Sequence, residues 1–145
     1  MSLFNLLSIS ASGMAAQRTR AEMLAENLAN AETTRTAEGG PYRRKDVVFQ
    51  SETQSSPFSS VFAEQLAKPA VGVEVAEVRI DDREPELRYL PGHPDARPDG
   101  YVAFPRISPA EDMVDLMGAS RGYQANVAAM SAIKDMIQRS LDLLR

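Results

Sequence analysis

Apolar residues recur at alternating steps of three and four along both ends of this chain. In the last third, Met113, Leu116, Ser120, Tyr123, Val127, Met130, Lys134, Ile137, Leu141 and Leu144 keep a heptad spacing, which holds one seam of a helix against a neighbour. The pattern predicts one helix over residues 109–144, about 54 Å long at ~1.5 Å per residue. A rod of that length cannot bury its own stripe. Its start is marked by Ser108 at the N-cap, Pro109 at the first helical position and Glu111 three residues on from the cap, the elements of a capping box.

The other end repeats the pattern. Leu3, Leu7, Ser10, Met14, Gln17, Ala21, Leu24, Leu28 and Ala31 follow the same spacing and predict a helix over residues 4–31. Ser10 and Gln17 soften this stripe, and Ala11, Ala15, Ala16, Ala25 and Ala29 widen it enough for more than one helix to approach closely. Gly13 is a tolerated weak point, costing about 1 kcal/mol relative to Ala. From the residues alone, a parallel or antiparallel hairpin inside a lone domain accounts for two such stripes as well as packing between chains does.

The middle reads as β-rich. Glu38, Gly39, Gly40 and Pro41 mark a turn, and residues 42–49 predict a strand with Val47, Val48 and Phe49 at its apolar end. Residues 50–60 are rich in Ser, Gln and Thr and predict a surface loop; residues 61–68 fit no single pattern, and Pro69 ends them. Val71, Val73 and Val75 alternate, and Val78 and Ile80 alternate in the opposite phase, so that either one strand with a bulge near Ala76 and Glu77 or two strands satisfy the shift. Residues 87–90 predict a partner strand across the turn at residues 81–85, and residues 101–104 a short third strand. The class is therefore α+β: long N- and C-terminal helices pairing as a coiled-coil-like bundle, residues 1–34 and 108–145, around a small β-rich insert, residues 35–107.

Composition removes several functions. The 145 residues include no cysteine, which excludes disulfides, thiolate zinc sites and cysteine nucleophiles. The net charge of -4 argues against nucleic acid, and the basic run Arg43, Arg44 and Lys45 reads as a solvated turn. No stretch reaches the roughly 18 apolar residues of a membrane span, and no charged head precedes residues 3–9 as a cleavable signal requires. His93 is the single histidine, in the Pro- and Gly-laden loop 91–100, which reads as a rigid connector aiming the C-terminal helix. A calcium-loop reading of Asp95 to Arg106 fails because the twelfth position is Arg106, where a bidentate Glu is needed. The carboxylates Asp81, Asp82, Glu84 and Glu86 read as a solvated turn with no group placed to shift a pKa. No catalytic, cofactor or metal constellation emerges, and an enzyme is not expected.

The residues also carry a resemblance. Ser12-Gly13-Met14-Ala15-Ala16-Gln17-Arg18, then Asn27-Leu28-Ala29-Asn30-Ala31 with Thr33 and Thr34, are similar to the N-terminal signature of bacterial flagellar rod and hook axial proteins. Gly39-Gly40-Pro41-Tyr42-Arg43-Arg44-Lys45, His93-Pro94-Asp95-Ala96, Gly100-Tyr101-Val102 and Ala119-Ser120-Arg121-Gly122-Tyr123-Gln124-Ala125-Asn126 narrow the resemblance to the basal-body rod members of that family. Arg106-Ile107 departs from the family's common Asn-Val, and Asp112 from its usual Glu. The resemblance implies a structural subunit of the proximal rod, which passes torque through the periplasm and lines the export channel. It further implies export by the flagellar type III apparatus without a cleaved signal. The partners it implies are copies of the chain, other rod proteins and the MS-ring and export-gate base of the rod, with no cofactor, nucleic acid or membrane span.

On that reading Leu3, Leu7, Met14, Leu24, Leu28, Met113, Leu116, Tyr123, Val127, Met130, Ile137, Leu141 and Leu144 are expected to pack subunits. Asn27, Asn30, Arg121 and Asn126 are expected to bond between them, with exposure or packing within one chain as the alternative. A soluble helical adaptor or oligomerisation module is the competing function. The two readings differ over the dilute monomer, where an axial protein predicts poorly structured termini and an adaptor predicts preformed helices.

Overall fold

A computed structural model describes residues 3–51 and 71–143, with side chains from residue 5 onward. The expectations for residues 52–70, for Leu144 and for the Leu3 side chain lie outside the described residues.

Two helices span the ends: α1, Leu3–Ala29, and α2, Pro109–Asp142. At ~1.5 Å per residue they are about 40 and 51 Å long. They run antiparallel, settling the direction the sequence left open: Gly13 faces Asn126, Gln17 faces Gly122 and Arg20 faces Asp115. α1 ends where Asn30 turns its own side chain back on the last turn, donating through Nδ2 to the Glu26 carbonyl at 2.9 Å while its Oδ1 accepts from the Thr33 hydroxyl at 3.1 Å. At the start of α2, Pro109 occupies the first turn, but the Ser108 side chain makes no capping bond. The expected capping box does not form, and the Ser108 side chain is exposed to solvent.

The chain leaves α1 through a folded-back linker in which Tyr42 N–H donates to the Thr33 carbonyl at 3.0 Å. Gly39 and Gly40, with φ of 91° and 79°, take the left-handed backbone this turn requires. Strand β1, Lys45–Ser51, pairs antiparallel with β2, Val73–Ile80. Val48 pairs with Glu77 and Phe49 with Val75, leaving Ala76 as an extra residue. The phase change among the valines is thus one bulged strand.

The next two strands differ from expectation. β3, Glu86–Tyr89, pairs with β4, Tyr101–Phe104, and not with β2, so the described residues of the insert form two separate two-stranded sheets. The 81–85 turn closes on itself, with Arg83 N–H and guanidinium both on Asp81. The 91–100 loop turns β3 back onto β4 through Leu90 N–H to the Gly100 carbonyl at 2.9 Å and Arg97 N–H to the Tyr101 carbonyl at 2.9 Å. The inner face of this hairpin supplies the buried Val102 and Phe104; Leu87, Tyr89 and Tyr101 face outward. Asp95 in the loop accepts from the Thr34 hydroxyl at 2.8 Å and pairs with Arg35 at 2.7 Å, tying loop to linker.

Candidate subunit-packing surface

The helix pair closes on small residues. A Cβ on Gly13 would lie 2.8 Å from Asn126 Oδ1, and one on Gly122 would lie 3.1 Å from Gln17 Cδ, so a larger residue at either position would displace the facing side chain. Ala16, Leu24, Ala119 and Ile133 are buried in or beside the pair. On α2 the inward positions are Asp112, Asp115, Ala119, Gly122, Asn126 and Ile133. From Asp112 to Asn126 this set keeps three-four spacing one residue behind the apolar set read from the sequence, whereas beyond Asn126 Met130 and Ile137 of that apolar set are themselves half-buried on either side of Ile133. One residue is about 100° around a helix.

The predicted seam therefore splits. On α1, Leu7, Met14 and Leu28 are half-buried and Leu24 is buried. On α2, Leu116, Met130 and Ile137 are half-buried at the edge of the pair, whereas Met113, Tyr123, Val127 and Leu141 are exposed. Val114, Met117, Met136 and Leu143, which the spacing does not pick out, are also exposed. Met113, Val114 and Met117 are each more than half exposed and lie within little more than one turn. Exposed apolar residues this close together make this part of α2 a candidate interaction surface.

The four polar residues fare differently. Asn27 has no exposed surface: Nδ2 donates to the Lys45 carbonyl at 2.8 Å, and Oδ1 accepts from Lys45 N–H at 2.9 Å and from the Tyr42 hydroxyl at 3.0 Å. Its bonding is within the chain, which corrects its expected place between subunits. Burial first, then the Glu26 carboxylate, pushes the Tyr42 phenol up to about 12, so it stays a donor. Asn126 donates to the Gly122 carbonyl at 2.9 Å, and Asn30 caps α1 as described. Arg121 is exposed.

The basic run is not the solvated turn it reads as. Lys45 Nζ pairs with Glu26 at 2.5 Å, and Arg44 Nη2 lies 2.9 Å from Asp112 Oδ1 and 3.4 Å from Asp46 Oδ1. Asp112 is fully buried, and the Arg44 approach lies off hydrogen-bond direction, so both Asp112 oxygens lack a hydrogen-bond donor. Burial raises the Asp112 carboxyl above the ordinary carboxylate range, with Arg44 opposing and Asp46, Asp115 and Glu111 adding to the rise. The 81–86 turn likewise contains a group that shifts a pKa: Arg83 bonds to Asp81 and holds its carboxyl down at about 2. Among the described residues no group of three or more His, Cys, Asp or Glu could hold a metal, and no helix is long and apolar enough to cross a membrane.

Two family models match the chain: flagella basal body rod protein over residues 7–35, and flagellar basal body rod FlgEFG protein C-terminal over residues 99–143. The matched segments are α1 with its linker, and β4 with α2. Paired terminal helices with these signatures define a flagellar rod protein, a structural subunit of the basal body. Full-length likeness narrows the class. The chain is 41% identical over 150 residues to the flagellar basal-body rod protein FlgC of Bacillus subtilis, covering 99% of each chain. It is 34% identical to that of Borreliella burgdorferi, over 100% of this chain and 99% of the relative, and 39% identical to that of Salmonella typhimurium, over 99% and 98%. The chain belongs to the FlgC family of flagellar basal-body rod proteins. Membership places it at the flagellar basal body, in assembly with other rod and basal-body proteins.

Proposed function

We propose that this chain is a subunit of the proximal rod that polymerises through residues 1–34 and 108–145, lines the export channel with its helices and carries torque across the periplasm. On this reading residues 35–107 form a separate insert, and the chain is exported by the flagellar type III apparatus without a cleaved signal and seats on the MS-ring and export-gate base. Its nearest partners are copies of itself and other rod proteins.

The observation that carries the reading is the displacement of the apolar stripe on α2. The closest approach of the pair is made by glycine, alanine and asparagine with Leu24 and Ile133 buried beside them, and Met113, Val114, Met117, Tyr123 and Val127 are left exposed to face something else. Arg121, on the same exposed part of α2, is available for a bond between subunits. Contacts that are not self-complementary propagate into helical filaments, as a rod requires.

Amide hydrogen exchange on the dilute monomer tests it. Fast exchange over residues 3–29 and 109–142 with protection in the insert is expected of helices that set on assembly. Strong protection throughout would favour a preformed adaptor module.

A further inference from the structure

A small cavity of about 130 Å³ lies between the Gly39–Pro41 turn and the Pro105–Arg106 corner, lined by Arg43, Arg44, Arg83 and Arg106 with Asp81 as the single acid among the described lining residues. It falls below the ~300 Å³ at which ligand sites for drug-sized molecules begin, and so takes one side-chain head group at most. Its walls include Tyr42, Pro41, Pro85 and Pro105, which have little rotamer freedom to lose.

The charges are arranged unevenly. Arg83 holds Asp81 through Nε and Nη2, so the one acid in the lining is already engaged. The partners of the other two inner arginines are not lining residues: Arg43 reaches Asp82 at 3.1 Å, and Arg44 reaches Asp112 and Asp46. Arg44 Nε is buried without an acceptor. Arg106 is exposed at the corner and makes no ion pair or hydrogen bond among the described residues, though its charge is felt at longer range by Asp81 and Glu86. Its planar fork of donors matches a carboxylate in geometry as well as charge.

We propose that this cavity is a docking socket for a carboxylate side chain of a second copy of the chain, with Arg106 as the residue that receives it. The chain as a whole carries a net charge of -4 and exposes acids such as Glu111 and Asp135 that make no ion pair among the described residues, so a second copy has carboxylates to offer this cationic spot. The socket borders the Met113–Met117 strip through Arg44, which also lies beside Val114, and a carboxylate held there would fix the rotational register of a neighbour seated on the strip. The inference rests on the reading of the chain as a self-assembling rod subunit.

The test is sedimentation of the full chain at about 50 and about 300 mM salt, for wild type, Arg106→Gln, Arg106→Glu and Met113→Glu. Arg106→Glu is expected to weaken self-association by about tenfold at low salt, Arg106→Gln by less, and both to flatten the salt dependence. Unchanged association and salt dependence in both Arg106 variants would overturn the socket, while loss of association in Met113→Glu would keep the assembly reading standing. If Met113→Glu associates like wild type and the Arg106 variants do not, the apolar strip fails and the socket survives. Sodium acetate is the probe for a free anion. Saturable shifts of the arginine side-chain N–H signals with acetate, alongside normal association in Arg106→Glu, would assign the cavity to a small anion and overturn its role between copies.

Discussion

Asn27 on α1 pairs with both backbone polar groups of Lys45, the first residue of β1, donating at 2.8 Å and accepting at 2.9 Å. A side-chain carboxamide thereby takes the place of a neighbouring strand, joining helix to sheet at a point with no exposed surface. Replacing Asn27 with Ala strands the Lys45 N–H and the Tyr42 hydroxyl. The expected cost is about 2–4 kcal/mol, read as a lower urea midpoint at unchanged slope. Asn27→Asp should also destabilise, since a carboxylate loses the donor to the Lys45 carbonyl.

Asp112 gives a stability change of opposite sign. Its folded-state pKa lies above the unfolded 3.8, so the fold penalises the charged form. As pH falls through the folded value toward 3.8, the folded chain takes up a proton the unfolded chain does not yet hold, and this group's contribution to stability rises. Arg44 keeps Asp46 as a partner, so removing the Asp112 charge leaves no isolated buried cation. Asp112→Asn is expected to raise the thermal midpoint at pH 7 by a few degrees, on the order of 1 kcal/mol, and to remove that pH dependence. A lower midpoint would show the ion pair outweighing the missing hydrogen bonds.

Asp81 titrates the other way. With its carboxyl held at about 2 in the fold and 3.8 unfolded, it supports the fold above pH 3.8 and loses that support as pH falls toward 2. Arg83→Gln should return the Asp81 carboxyl toward the ordinary range in a carbon-detected NMR titration. An unmoved Asp81 would mean that Arg83 is not its main partner.

Gly100 has φ of 79°, and a Cβ there would lie 2.7 Å from Tyr89 Cε2. Tyr89 in turn stacks edge-on against Tyr101 with ring centroids 5.3 Å apart. Gly100→Ala is expected to cost about 1–3 kcal/mol from backbone strain and the displaced ring together. The combination Gly100→Ala with Tyr89→Ala should recover the part due to the ring.

Met113→Glu and Val127→Glu should leave monomer stability within about 0.5 kcal/mol, because both side chains are exposed, and yet abolish swimming when they replace the natural residues in the cell. A swimming strain with either change would place the subunit contact elsewhere.

The long elements were legible because heptad spacing over many turns is a strong local signal, and the bulge at Ala76 was visible as a change of alternation among the valines. What the spacing could not say was which side of α2 meets α1. The stripe containing Met113, Tyr123 and Val127 is the more apolar, but the pair selects Ala119 and Gly122, where backbones approach closely. Hydropathy ranks the wrong face because it measures transfer from water and not the room a neighbour needs. The pairing of β3 with β4 depended on the turn at Asp81 closing on Arg83, and the inward course of Arg44 and Lys45 on acids at Asp112 and Glu26, contacts distant in sequence. Asn27 read as a contact between subunits and Asp112 only as a departure from the family's glutamate, because nothing in the spacing marks a polar side chain for burial. A lone asparagine facing a strand's first residue leaves no mark in a one-dimensional pattern.

The antiparallel pairing of α1 with α2 makes the two ends of the molecule chemically unlike: the insert joins at one, and the amino end of α1 meets the carboxyl end of α2 at the other. A stack built by head-to-tail contacts between such molecules has a head and a tail. Addition at the head and addition at the tail are then different reactions with separate rate constants, and a growing array can favour one direction without any external guide.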